Sequence, residues 1–330
     1  MTAGTHVVFG TGPAGRAVAA ALLDQGAPVR LVNRSGTAPI AGVETISGDA
    51  TDPVFARTVA ANSGTVYFCL NAPNYHRWAD EFPPLQRAVL GAARAADAKL
   101  VVLENLYLYG PTVGPLCEAS PVNPTSAKSR VRADMSAELI EAHQRGEVRV
   151  AIGRASDFIG PGVRNSAFGE FVFGPALAGK RAQTVGRPDT DHTYSYVPDV
   201  GRNLVLLGSH DDAYGRAWHL PNPPTRTTRQ IILDVYATAG ARRSDLTALK
   251  RPTLRALGLF NRNVRELLHT YYQFDAPFVV DDSAFRNAFG GRTTSWDEIV
   301  ATTVDWYRTH PTTPTQSHGL PETTTEKVTS

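Results

Sequence analysis

Cysteine is nearly absent from this chain: Cys69 and Cys117 are the only two in 330 residues. Two thiols cannot build a disulfide framework and are too few for a Cys-rich zinc module, so a reducing compartment is expected. Long apolar runs are missing too. No segment reaches the roughly 20 apolar residues that a membrane-spanning helix needs. The N-terminus enters an apolar run at residues 5–10 without the basic region and apolar core of a signal peptide. These absences predict a soluble, cytoplasmic protein with no membrane partner. Charge of one sign is lacking as well. The 33 Lys and Arg against 31 Asp and Glu leave a net charge of +2, too even for a phosphate-neutralising surface, so no nucleic-acid partner is expected. Asp191 and His192 have no company at metal-ligand spacing, so no metal is expected. No internal repeat is present.

What is present is a core-forming composition, 42% hydrophobic against 19% charged, arranged in alternation. Apolar runs at 5–10, 28–34, 43–50, 65–71, 99–105 and 148–157 predict strands. Helical spacing predicts helices at 14–25, 52–61, 77–96 and 127–145. Strands that read as continuous apolar runs, alternating with helices, are the pattern of a parallel sheet covered on both faces. Past residue 158 the rhythm breaks, with helices expected at 167–178, near 226–239 and twice beyond 262, and a strand at 217–221 as a final piece of the sheet.

Gly10-Thr11-Gly12-Pro13-Ala14-Gly15 follows the first strand and opens the first helix. Gly10, Gly12 and Gly15 permit a tight turn and let the backbone approach a pyrophosphate, which then rests with Pro13 and Ala14 on a helix N-terminus. The expected fold class is therefore α/β: a Rossmann-type, doubly wound parallel sheet with a smaller C-terminal substrate lobe. The dinucleotide-binding core is expected over 1–157 and the lobe, with late sheet elements, over 158–310. A disordered tail is expected over 311–330, a Thr- and Pro-rich string without apolar periodicity.

The end of the second strand selects the coenzyme. An NAD site places a carboxylate there to accept from the ribose hydroxyls. Here the segment is Asn33-Arg34-Ser35, with no acid. Arg34 can pair with a 2′-phosphate and Ser35 can donate to it, so NADP(H) is expected over NAD. The plainer alternative is that Arg34 is a solvated loop residue. Asp49 and Ala50 are expected beside the adenine, and Asn71, Ala72 and Pro73 along the ribose and phosphate path.

One helix carries an anomaly. At about 100° per residue, Val131, Arg132, Met135 and Leu139 fall within about 60° of Lys128, with Arg130, Asp134 and Glu141 opposite and Glu138 at the side. Two cations thus head an inward-facing apolar stripe. A buried charge must meet a ligand or a carboxylate, and Glu104, ending the fifth strand, is the structural candidate.

Taken in order, Thr11-Gly12 with Gly15, Gly48-Asp49-Ala50, Asn71-Ala72, Leu108-Tyr109-Gly110 and Gly160-Pro161-Gly162 resemble the extended short-chain dehydrogenase/reductases, the NAD(P)-dependent epimerase/dehydratase-like proteins. The resemblance covers roughly residues 5 to 310. That family's active-site Ser/Thr and Tyr-x-x-x-Lys fall here on Asn105, Lys128 and Arg132. Such a Lys-x-x-x-Arg looks like the atypical branch of isoflavone-reductase-like and NmrA-like proteins, in whose reductases a lysine is the proposed acid/base. The resemblance implies Lys128 beside the nicotinamide ribose as acid/base, with Arg132 favouring its neutral form by like-charge repulsion. It implies Asn105 orienting a substrate oxygen, with Tyr107 and Tyr109 competing for the acid role. Phe158, His192 and Tyr194 are the candidate substrate contacts. Aromatics at Phe168, Phe171, Phe173, Tyr271, Tyr272 and Phe274 suggest an apolar or ring-containing substrate, or simply a core. The expected function is an NADP(H)-dependent oxidoreductase acting on a small metabolite. An epimerase/dehydratase with internal redox and a non-catalytic NmrA-like NADP-binding redox sensor stay open, and fold analogy leaves room for a homodimer.

Overall fold

The computed structural model describes residues 4–36, 40, 42–72, 77–166, 168–242, 245–259, 265 and 267–311. Strands and helices alternate: β1 (Thr5–Phe9), α1 (Pro13–Asp24), β2 (Val29–Asn33), β3 (Glu44–Ser47), α2 (Pro53–Ala60), β4 (Ser63–Phe68), α3 (Trp78–Ala95), β5 (Lys99–Glu104), α4 (Ala127–Gln144) and β6 (Val150–Arg154). They are followed by β7 (Asp157–Ile159), α5 (Phe173–Leu177), β8 (Ala182–Val185), β9 (Asp191–His192), β10 (Tyr194–Tyr196), α6 (Val197–Ser209) and β11 (Ala217–His219). Seven strands form the main sheet in the order β11-β6-β5-β4-β1-β2-β3, and every pairing within it is parallel. The order reverses between β1 and β4. A doubly wound sheet opens a crevice at such a reversal, beyond the carboxyl ends of its strands.

Alternation along each strand feeds two cores. Val7 and Phe9 of β1 face α2, α3 and α4 with Val66, Phe68 and Val102. Val8 faces α1 and α6 with Leu31, Tyr67 and Val101. Full burial of each such side chain contributes about 1.5–3 kcal/mol. Helices α1 and α6 pack so closely that a side chain on Gly201 would stand 2.4 Å from the Ala17 carbonyl carbon. A third core joins Ile159, Phe168, Phe173, Tyr194 and Tyr196 to Ile231, Trp296 and Ile299. Much of the aromatic content of the lobe is therefore its packing.

Several predicted elements differ from those observed. The expected strand at 148–157 divides, because Ser156 leaves the ladder. Its N–H donates to Ser195 Oγ at 2.8 Å and its hydroxyl to the Thr193 carbonyl at 2.6 Å, so β7 pairs with β10 instead of the main sheet. The third strand stops at Ser47, since Gly48 lies against the Phe55 ring, 2.3 Å from where its Cβ would stand. The helix expected at 167–178 is only Phe173–Leu177: Gly169 makes a tight turn on the Arg164 carbonyl, and residue 167 lies outside the described residues. The late strand expected at 217–221 is present as Ala217–His219 and completes the main sheet beside β6. The tail expected over 311–330 falls, from residue 312 on, outside the described residues. No described helix is long and apolar enough to cross a membrane.

Candidate active site

The glycine loop is built at the β1–β4 crevice. Gly10 has φ +110°, and a Cβ on it would stand 2.7 Å from the Cys69 carbonyl oxygen, so only glycine fits. Gly15 lies over the Gly10 carbonyl, 1.9 Å from where its Cβ would be. Gly12, the N-cap of α1, instead faces open space. No side chain caps α1, Pro13 occupies its start, and its first turn holds no acid. The positive end of the helix thus looks into room, which fits a diphosphate.

At the end of β2, Asn33 stands where an acid would. Its Nδ2 donates to Thr11 Oγ1 at 3.1 Å and its Oδ1 accepts from the Gly36 N–H at 2.6 Å, tying the two loops together. Arg34 is exposed, and its carbonyl accepts from Ser47 Oγ at 2.9 Å. Ser35 is exposed beside it. The Thr51 N–H holds the Asp49 carboxyl below its usual range, the Thr51 hydroxyl adds to this, and the Arg34 guanidinium contributes a smaller pull. Arg34 and Asp49 thus share one corner. Ala50 and Ala72 are buried there, Asn71 is exposed, and Pro73 lies outside the described residues.

The stripe on α4 is buried as its spacing predicts: Lys128, Arg132, Met135 and Leu139 face in, and Arg130, Asp134 and Glu141 face out. A Ser126/Ser129 capping box starts the helix. The two cations then part company. Lys128, 7% exposed, holds its ammonium 5.9 Å above the Trp78 ring, which stacks on Tyr107 at 6.2 Å. Arg132, 1% exposed, lies over the Phe82 ring at 4.7 Å and faces Glu104 across 3.6 Å.

Glu104 also serves Arg154, its register partner on β6. Arg154 Nε donates to Glu104 Oε2 at 3.1 Å, Nη2 to Ser136 Oγ at 2.9 Å and Nη1 to Tyr109 Oη at 2.6 Å. Tyr109 meets His219 Nε2 at 2.9 Å, and His219 Nδ1 meets the Asp281 carbonyl at 3.0 Å. Burial lowers the Arg132 guanidinium despite Glu104. Burial also opposes the charge on Arg154, but Glu104 and Tyr109 together hold that guanidinium above its usual value. Burial pushes the Tyr109 hydroxyl up and the His219 imidazole down.

The structure corrects several expected roles. Tyr109 is 0% exposed, and its hydroxyl is committed to Arg154 and His219, so it is not a substrate-facing acid. Tyr194 is buried, bonded to Thr228 at 2.9 Å, and so does not meet substrate. His192 is likewise buried: Nε2 meets Asp157 Oδ2 at 2.9 Å, Nδ1 meets the Gln273 carbonyl at 3.1 Å, and the ring stacks on Phe274. It acts as a clasp of the lobe. Phe158 packs partly buried against the α1–α6 core. Arg132 is matched by Glu104 as an internal ion pair. Asn105 is not among these corrections: its oxygen accepts from the Tyr107 N–H at 3.2 Å in the turn after β5, which does not bear on its amide N–H groups. Arg154, Trp78 and His219 were missed. For Arg154 a signal existed, a cation ending an apolar strand beside one ending in Glu104; for Trp78 and His219 none did.

The sequence profile of the NAD dependent epimerase/dehydratase family matches residues 7–219. The chain belongs to that family. Its members are enzymes that depend on NAD, and the glycine loop described above is the part of this chain suited to such a coenzyme. No curated protein matches the chain by sequence. Among solved structures, the epimerase Mth375 of Methanothermobacter thermautotrophicus superposes with a TM-score of 0.77 at 15% identity, covering 93% of each chain. DesIV of Streptomyces venezuelae, a dTDP-glucose 4,6-dehydratase solved with NAD and TYD, gives 0.75 at 18% identity over 92% of this chain and 97% of its own. WbmH of Bordetella bronchiseptica, in complex with NAD+, gives 0.70 at 16% identity over 92% and 98%. At such identities the likeness concerns the fold.

Proposed function

We propose that the protein is an NADP(H)-dependent oxidoreductase of a small, apolar or ring-containing metabolite, with Lys128 as its acid/base. The observation that carries this reading is the buried ammonium of Lys128 at the start of α4, beyond the ends of β4 and β5, against the face of Trp78. Gly10, Gly12, Pro13, Ala14 and Gly15 would hold the coenzyme diphosphate, and Arg34 and Ser35 would meet a 2′-phosphate. The absence of an acid at Asn33 supports the phosphorylated coenzyme. When bound, that coenzyme supplies a hydride donor or acceptor. The rest is done by the chain. Lys128 gives its proton to a substrate oxygen as negative charge develops there, or takes it back in the reverse direction. Trp78 and Tyr107 wall the ammonium from water, which strengthens its field. The Asn105 oxygen is engaged by the Tyr107 N–H, which leaves its amide N–H groups to orient the substrate oxygen.

NADPH absorbance tests the reading against a panel of ketones, enones and quinones. Net consumption by the wild type, lost in Lys128→Met while NADPH binding persists, is the expected result. Product without net consumption would instead support the epimerase/dehydratase reading, which family membership favours. Saturable NADPH binding with no turnover of any kind would leave a redox sensor.

A further inference from the structure

Arg16 stands in the first turn of α1, one residue past the last glycine of the loop. Helical side chains lean toward the N-terminus, so its long arm reaches back toward the glycine loop. Its Nη2 lies 2.7 Å from the point where a Cβ on Gly162 would stand, and the Pro13 Cβ is 3.9 Å from that same point. The guanidinium is therefore wedged between the start of α1 and the 160–162 turn. Gly162, at φ +80°, leaves it room.

This is a poor place for a cation. Arg16 is half-buried, burial lowers its guanidinium, and no carboxylate among the described residues forms an ion pair with it. Arg30, Arg87, Arg94, Arg132 and Arg154 each meet one. The positive end of α1 repels it further. An anion in the open space at Gly12 offsets both penalties, because one dianionic group then faces the helix end and the guanidinium together.

We infer that Arg16 is a further coenzyme-binding residue, whose guanidinium closes the diphosphate cradle from the side of the 160–162 turn. The inference rests on the dinucleotide site of the preceding section but not on its NADP preference. The diphosphate is common to NAD and NADP, so Arg16 serves both coenzymes alike, whereas Arg34 would read the 2′-phosphate alone.

The test is titration of NADPH and of NADH into the full-length wild type, R16A and R16K, with the thermal midpoint of each protein measured without coenzyme. R16A should weaken both coenzymes by a common factor of about 10 to 100, the size of one charge-assisted contact. R16K should recover part of the loss, since an ammonium keeps the charge but not the fork. The midpoint of coenzyme-free R16A should equal or exceed that of the wild type, because an unfavourable cation has gone. Unchanged affinity for both coenzymes overturns the inference. So does a loss confined to NADPH, which assigns Arg16 to the 2′-phosphate, or a lowered midpoint with affinity intact, which makes it structural. A wild type that binds neither coenzyme removes the dinucleotide reading and this inference with it. A wild type that binds while R16A is indifferent removes the inference alone.

Discussion

Glu104→Ala removes the carboxylate between two buried guanidiniums. The side chain of Glu104 is 0% exposed, that of Arg132 1% and that of Arg154 8%. Its Oε2 accepts from Arg154 Nε and from Ser136 Oγ, each at 3.1 Å, and its Oε1 faces Arg132 at 3.6 Å. Deleting one partner of a buried pair strands the other, at a cost of about 3–5 kcal/mol. In a chain of this size that lowers the melting midpoint by about 2 °C per kcal/mol, or about 6–10 °C in all. Arg132→Met behaves differently. Glu104 keeps Arg154 and Ser136, while the lost guanidinium had an Nε without a hydrogen-bond partner and only a loose ion pair. Its cost is expected at about 1 kcal/mol or less, since an apolar side chain of similar length replaces a poorly satisfied buried cation. Differential scanning calorimetry of the two variants decides the matter. A Glu104→Ala midpoint within about 2 °C of wild type would refute the ion-pair account. Loss of turnover in Arg132→Met at an unchanged midpoint would return Arg132 to the chemistry.

Lys128→Met should lower turnover by about 10²–10⁴-fold, the usual weight of a general acid, while fluorescence titration shows NADPH bound as in the wild type. Arg34→Ala should weaken NADPH about 10-fold or more and leave NADH unchanged, and Asn33→Asp should move preference toward NADH. Tyr109→Phe should cost about 1–3 kcal/mol in urea unfolding, because Arg154 and His219 each lose a buried partner; unchanged stability with activity abolished would instead make Tyr109 catalytic. Burial lowers the His219 imidazole from its ordinary 6.5, so as pH falls below that value the unfolded chain binds the proton that the folded one resists. Stability is thus full above about pH 6.5 and declines on acidification. His219→Gln should flatten the slope of midpoint against pH between about 7 and 5, and an unaltered slope would show that other groups set it.

The main sheet was legible because its strands are buried on both faces. A run such as Val7-Val8-Phe9 has no polar face to mimic a helix, and the glycines after it allow few other arrangements. Elements whose limits depend on a distant partner were not legible. Nothing local to Ser156 reveals that Ser195 and Thr193 will draw it out of the ladder. The late strand at Ala217–His219 was legible as a piece of the sheet, but its place beside β6 was not. Aromatic residues were ambiguous for a related reason. Phe168, Phe173 and Tyr194 suit a ring-binding pocket as well as a core, and only the facing helices decide for the core.

The stripe on α4 shows the limit most sharply. Period alone predicts that Lys128 and Arg132 point inward, and both do. Period is blind to depth. Arg132 lies one turn further in, level with the end of β5, where Glu104 and its register partner Arg154 already form a charged centre. Lys128 lies in the first turn, where the neighbours come from α3 and from the turn after β5. One turn of helix, about 5.4 Å, thus separates a cation that faces Glu104 from one that lies over the Trp78 ring. The two residues that a motif would treat as one catalytic pair therefore stand in different surroundings. Arg132 faces a carboxylate it shares with Arg154, while the ammonium of Lys128 lies over the Trp78 ring, the placement on which its proposed role rests.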